Sequence, residues 1–312
     1  HTHCAAEDWA SWDSDTLNNN LQRLIRFNDK FWFVALQDCQ VDRLDGATID
    51  RAIIEGIILA CYNYQWPREL EWLVETLKNR SFSLTATALL SLANAPAYLQ
   101  PLIDFVEPKV INSALDNLYT TATTLNNSSG SDWGQAPRGY TRWDGCYARD
   151  YRASAKQLYT LMSLFKPSVI KVDGVLLALY ADDMELFKLA LDSCPAINTL
   201  SLYGHALLVE CCGISWGNPY AFIVLERRDI DIDIYDLTET TAIFAACTTE
   251  YDIYQRKLAL IKMLVDLDVD CNVLTPSHKA GIEVRYRQYK KPIKDVFAYR
   301  EEIAALLNNV ND

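Results

Sequence analysis

The chain has 312 residues, 50% of them hydrophobic and 22% charged, so it can bury a core and is neither disordered nor of low complexity. Its 41 Asp and Glu outweigh 29 Lys and Arg, a net charge of −12, which argues against nucleic acid as main partner because phosphate binding needs a basic face. The best apolar stretch, Ile53 to Tyr62, contains Glu55 and is too short to span a bilayer.

The sequence begins at His1 rather than Met and shows no signal segment, which reads as a processed chain. His1-Thr-His3 has the chemistry to chelate Cu(II), but residues 1–14 read as a flexible extension, so no metal or other cofactor is expected. Sequons stand at Asn79, Asn126 and Asn127, and there are nine cysteines with no C-x-x-C pair. Together they point to a secreted chain with some disulfides and at least one thiol left over. The other reading is that the cysteines are small buried apolar residues.

From residue 15 onward a unit recurs. An N-terminal pair of apolar segments, Leu17 to Phe27 and Lys30 to Cys39, closes at Gln40-Val-Asp42. A six-residue pattern (small residue, two bulky apolars, two variable, then Cys, Ala or Tyr) starts at Gly56, Ala88, Ala114, Val175, Ala206 and Ala242. A second segment with helical spacing follows, as in Leu70, Leu73, Val74 and Leu77. Short signatures end these units: Val110-Ile-Asn112, Val169-Ile-Lys171, Ala196-Ile-Asn198, Asp231-Ile-Asp233 and Asp270-Cys-Asn272. The predicted unit is short helix, turn, longer helix, loop. Such a unit buries its apolar face only by stacking on its neighbours.

Residues 126–152 break the pattern. A polar run, Asn126-Asn-Ser-Ser-Gly-Ser131, leads into a stretch where Trp133, Tyr140, Trp143, Tyr147 and Tyr151 alternate with Arg138, Arg142, Arg149 and Arg152. Trp, Tyr and Arg are enriched at binding hot spots, and long loops on rigid scaffolds carry function. Two readings stand side by side: a protein-binding loop using Trp133, Arg138, Tyr140, Arg142, Trp143 and Tyr147, or aromatics folded back over an exposed repeat face.

Further on, Gly213-Ile-Ser-Trp-Gly217 matches the nucleophile elbow G-x-S-x-G, with Leu207 to Val209 as the strand and Asp231 or Asp233 and His278 as later partners. The strand–helix alternation of that fold is absent, so Gly213 to Asn218 is predicted to be an interhelical turn with Pro219 starting the next helix. The Asp229–Asp236 run fails the calcium-loop pattern, having Ile234 where Gly is needed and Thr240 where Glu is needed. It reads as an extended finger with its Asp face in solvent. Lys279 to Arg300 is rich in Lys and Arg and reads as the polar face of a terminal cap.

The segment Glu239-Thr-Thr-Ala-Ile-Phe-Ala-Ala-Cys247, then Leu258 to Val265, then Asp268-Val-Asp-Cys-Asn272 resembles a divergent ankyrin repeat. Thr241, Ile243 and Ala246 match its Thr-x-Leu-x-x-Ala element. Met263 to Asn272 stands for Leu-Leu-x-x-Gly-Ala-Asp-x-Asn. Pro292-Ile293 and Val296, followed by Glu302-Ile-Ala-Ala-Leu-Leu307, resembles a terminal repeat. The Thr-Pro-Leu-His tetrapeptide and the Gly before Ala-Asp are missing. The Ala-Ile-Phe-Ala-Ala-Cys247 run is also similar to cysteine-bearing ankyrin-type effectors secreted by biotrophic, gall-forming plant pathogens. The resemblance implies an all-α solenoid of about seven ankyrin-like helix pairs. Residues 15–126 would form its N-terminal part, 127–150 an insert, and 151–312 further repeats and a cap. It implies a non-catalytic, monomeric virulence effector, secreted and acting inside host cells, with a signalling or ubiquitin-pathway protein as partner. Two other readings remain: a secreted serine hydrolase using Ser215, and a secreted carbohydrate-binding or structural protein.

Overall fold

The structure, a computed structural model, describes residues 57, 71–76, 84–128, 147–214, 218–248, 254–272, 293, 297 and 301–308. Among them every regular element is a helix. In chain order these are α1 (Ala86–Ala93), α2 (Pro96–Leu99), a 3-10 turn (Gln100–Phe105), α3 (Pro108–Ser128), α4 (Tyr147–Phe165), α5 (Val172–Tyr180) and α6 (Met184–Asp192). They continue with α7 (Leu207–Gly213), α8 (Asn218–Leu225), α9 (Ala242–Cys247), α10 (Tyr254–Asp266) and α11 (Glu301–Asn308).

The chain divides into two units, His1–Asn117 with Lys156–Lys166, and Leu118–Ala155 with Pro167–Asp312. In the first, Thr85 caps α1 by accepting from the Ala88 amide at 3.2 Å, a bond whose loss costs about 1 kcal/mol at such positions. Pro96 opens α2, where its missing N–H is harmless. α1 packs on α2 and α2 on the 3-10 turn, with Leu89, Leu92, Leu99 and Leu102 in the core. Gln157 donates from Nε2 to the Leu90 carbonyl at 2.9 Å.

The second unit is built from successive hairpins. α5 packs on α6, α7 on α8, and α9 on α10. The first helices also touch in sequence, α5 on α7 and α7 on α9, and so do the second helices, α6 on α8 and α8 on α10. Every residue of α5 is buried, so this helix, apolar but for Asp173 and the Tyr180 hydroxyl, faces protein on all sides. α6 is amphipathic: Leu186, Phe187, Ala190 and Leu191 are buried, while Glu185 and Lys188 face solvent. Thr241 caps α9 by accepting from the Phe244 amide, and Asp183 caps α6 by accepting from the Leu186 amide. The N-cap positions of the three first helices, Lys171, Ala206 and Thr241, are spaced evenly along the chain.

The hairpin ends explain a missing sequence signal. Asp182 and Asp268 have φ of 54° and 66°, the left-handed conformation usually given to Gly after a helix. The Asp268 amide bonds the Val265 carbonyl and the Val269 amide bonds the Leu264 carbonyl, a Schellman closure of α10. Asp268 therefore occupies the place where the ankyrin pattern has its Gly. Asp tolerates this left-handed conformation better than most side chains.

Two expectations are corrected. The pattern at Ala114 and the signature Val110-Ile-Asn112 do not form a short helix and a loop; both lie inside the 21-residue α3. Tyr119 from that helix lies so close to Gly174 of α5 that a Cβ there would meet Ile170 Cγ2 at 2.7 Å and the Tyr119 ring at 3.1 Å. The insert is also shorter at both ends than 126–152, because α3 runs through Ser128 and α4 starts at Tyr147.

Candidate functional site

The loops before α7 and α9 form a pair of matched turns. In one, the Ser201 amide bonds the His205 carbonyl and the Gly204 amide bonds the Ser201 carbonyl; in the other, Asp236 and Thr240, and Glu239 and Asp236, do the same. Side chains lock each turn from within. Ser201 Oγ accepts from the Tyr203 and His205 amides, and Asp236 Oδ1 accepts from the Thr238 and Thr240 amides. The left-handed residue falls at the same place in both, Gly204 at φ 81° and Glu239 at φ 61°. The turns are joined edge to edge by the Leu237 amide donating to the Gly204 carbonyl at 2.7 Å. A Cβ on Gly204 would stand 2.3 Å from Leu237 Cβ, so both its φ and its neighbour require glycine.

A second ladder links the loops behind these turns. Asn198 donates to the Asp229 carbonyl and accepts from the Asp231 amide; one loop on, Asp233 accepts from the Asp270 amide at 2.9 Å. Asp231 and Asp270 each also cap the amide two residues ahead. The predicted finger is thus a stack of Asx-type turns rather than a plain extended segment. Arg227 ties in the preceding hairpin: it pairs in bidentate fashion with Asp229 at 2.7 and 2.9 Å and donates to the carbonyls of Leu191, in the last turn of α6, and Cys194, just after it.

Behind the first turn lies a titratable cluster. His205 Nδ1 is 2.9 Å from Glu210 Oε1, and Tyr180 donates its hydroxyl to Glu210 Oε2 at 3.1 Å. Burial pulls the His205 imidazole down, but the Glu210 carboxylate outweighs it with help from Asp236 and Asp173, so the group sits above the usual histidine range. Burial raises Asp173 above the usual carboxylate range although it accepts from the Leu202 amide. Burial, then the charge of Glu210, keeps the Tyr180 phenol protonated. These groups hold the turn against α5 and α7. Because His205 is raised, its contribution is complete below pH 6.5 and disappears as pH rises through its folded-state value. Urea unfolding across this range should show wild type losing about 1 kcal/mol relative to His205→Gln, which keeps a donor to Glu210 without the charge. Identical pH slopes for the two proteins would refute the assignment.

Among the described residues, one cation lies in the interior. Lys257 of α10 is fully buried and donates Nζ to the Cys212 carbonyl at 2.7 Å and the Ile214 carbonyl at 2.8 Å, at the C-terminal end of α7. Carbonyls left open at a helix end carry partial negative charge and favour a cation. Burial nevertheless lowers the ammonium to about 8. Cys194, Cys211, Cys212, Cys247 and Cys271 are buried, and Cys194, Cys211 and Cys212 carry free thiols; Cys4, Cys39, Cys61 and Cys146, which the expectation of some disulfides also covers, lie outside the described residues. Burial pushes Cys212 up to about 12 and Cys211 well above the ordinary thiol value, so both stay protonated and unreactive.

The predicted site residues fare unevenly. Trp133, Arg138, Tyr140, Arg142 and Trp143 lie outside the described residues, and Tyr147 opens α4 with only its backbone described. Tyr151 is buried, its ring 5.4 Å from that of Tyr180. Ser215 and His278 also lie outside the described residues. Leu207 to Val209, the strand of the elbow reading, is the first part of α7. Asp231 and Asp233 are occupied with backbone amides. No cluster of three or more His, Cys, Asp or Glu side chains suited to a metal occurs among the described residues, and no described helix is long and apolar enough to cross a membrane. The matched turns were missed; the feature the two segments share is their place, Ser201-Leu202 and Asp236-Leu237 standing five and four residues before the caps Ala206 and Thr241. No family model, curated protein or solved structure matches this chain.

Proposed function

We propose that the chain is a non-catalytic protein-binding scaffold, a solenoid of ankyrin-like hairpins that engages a host protein through its repeat surface and its aromatic, Arg-rich insert. The observation that carries this reading is the even spacing of α5, α7 and α9 together with the two parallel rows of packed helices and the linked turns between them. An interior built this way leaves long rows of surface positions free to vary without disturbing the core. Trp133, Arg138, Tyr140, Arg142, Trp143 and Tyr147 supply the residue types that dominate interface energies. The buried thiols suit a chain that is secreted and then acts in a reducing host compartment, where disulfides do not persist.

The test is affinity capture with the intact chain and with a variant whose residues 132–146 are a Gly/Ser loop, which leaves α3 and α4 in place. A host protein retained by the first and lost by the second supports the reading and puts the hot spot in the insert. Labelling of Ser215 by a fluorophosphonate probe, or saturable glycan binding without any protein partner, would overturn it in favour of a hydrolase or a sugar binder.

A further inference from the structure

The matched turns carry an apolar row that the core does not use. Leu200 and Tyr235 occupy one register position and are 41% and 47% exposed; Leu202 and Leu237 occupy another and are 59% and 73% exposed. Scattered exposed apolar residues need no explanation, but repetition of large ones at two equivalent positions makes a continuous feature. The turns beneath are held by internal hydrogen bonds and by the Leu237–Gly204 link, so these side chains project from a fixed backbone and little ordering entropy is lost on contact.

The surroundings are acidic. Asp231, Asp233, Asp236 and Glu239 lie on or beside the same turns, and Asp268 and Asp270 lie on the next loop. The nearby basic groups among the described residues are Arg227, engaged by Asp229, Arg228, His205, engaged by Glu210, and Lys171, which acts on Asp173 beneath Leu202; the carboxylates outnumber them. With the whole chain at −12, the field over the row is negative. This charge excludes an acidic peptide or an anionic lipid surface as occupant, and it favours a cationic one.

We infer that the turn row of Leu200, Leu202, Tyr235 and Leu237 is a docking surface for a basic amphipathic segment of a partner protein, whose apolar side chains seat on the row while its Lys and Arg face the flanking carboxylates. This rests on the protein-binding reading and adds a second contact surface, distinct from the insert, with a defined partner chemistry.

A fluorescein-labelled amphipathic helical peptide of Leu and Lys, and its counterpart with Glu in place of Lys, are the probes. Fluorescence anisotropy with the full chain should show binding of the Lys peptide, weakening at high salt, and none of the Glu peptide. Leu202→Ser with Leu237→Ser should weaken binding at least about tenfold, with helical circular dichroism unchanged because both residues are exposed. The variant with the replaced insert should bind the peptide as wild type does. Equal affinity of the Leu-to-Ser variant, or equal binding of the Glu peptide, would overturn the inference. So would a concentration-dependent dimer that the same substitutions dissolve, which would assign the row to a second copy of the chain. Loss of peptide binding with the insert alone would also overturn it while leaving the scaffold reading intact. That reading stands or falls on the capture experiment.

Discussion

Replacing Lys257 with Met is expected to lower the unfolding free energy by about 2 kcal/mol at neutral pH and to abolish one pH-dependent term. The Met side chain fills the same space, so the loss comes from the Cys212 and Ile214 carbonyls, which are left without their buried donor. Relief of the buried charge offsets part of that loss. The pH dependence is the sharper signature. The folded-state value is about 8 against the ordinary 10.5, so between these values the unfolded chain binds the extra proton and stability rises with pH. Cys211, Cys212 and Tyr180 act in the opposite sense: held protonated in the fold, they contribute stability that is lost as pH rises beyond the ordinary range of thiols and phenols. Urea unfolding of wild type and Lys257→Met in parallel cancels these shared terms. The difference between the two proteins should grow by roughly 3 kcal/mol from pH 7.5 to 10.5. A constant difference would show that Lys257 is not the buried ammonium described here.

Phe187→Ala is expected to cost about 3–5 kcal/mol, a large part of the stability of an ordinary domain. Phe187 is fully buried on α6, and its ring meets that of Tyr220 on α8 edge-on, 4.8 Å between centroids. Truncation removes apolar burial, opens a cavity between two second helices and breaks an aromatic contact worth about 0.5–1.5 kcal/mol. Tyr220 is also anchored by its hydroxyl, which donates to Asp182 Oδ1 at 2.8 Å, and is therefore poorly placed to collapse into the gap. Hydrogen exchange adds a test of the stacked arrangement. In a row of nearest-neighbour contacts, protection should fall first in α6 and α8 and less in α10 and α11. A uniform fall, or a cost below about 1 kcal/mol, would contradict this packing.

Much of the fold was legible in the amino-acid pattern. The spacing of Leu186, Phe187, Ala190 and Leu191 places them on one face of a helix, and all four are buried. Thr241 before an apolar run and Gly213 to Asn218 between two runs mark helix boundaries where the structure has them. The pattern at Ala114 misled because hydrophobic spacing is the same in a short and a long helix; nothing in Ala114 to Tyr119 reveals that α3 starts at Pro108 and runs past it. The left-handed turn at residue 268 was not legible, because Asp268 rather than Gly adopts it. Of the candidate site, the insert was proposed from its composition, and its residues 129–146 lie outside the described residues. The turns were not legible, because Ser201 and Asp236 share no side-chain identity, only the capacity to accept from amides of their own turn.

By itself the sequence determined that this protein is helical and that its acidic surface covers an ample apolar interior, because periodicity and charge are local and additive properties of a chain. Only the tertiary structure decided which residues meet. It put Lys257 against the carbonyls of a helix more than forty residues earlier, set Glu210 between His205 and Tyr180, and brought Leu237 onto Gly204. Apart from His205–Glu210 these are long-range pairings, selected by how hairpins pack rather than by what any one segment prefers, and the same packing leaves Leu202 and Leu237 in solvent.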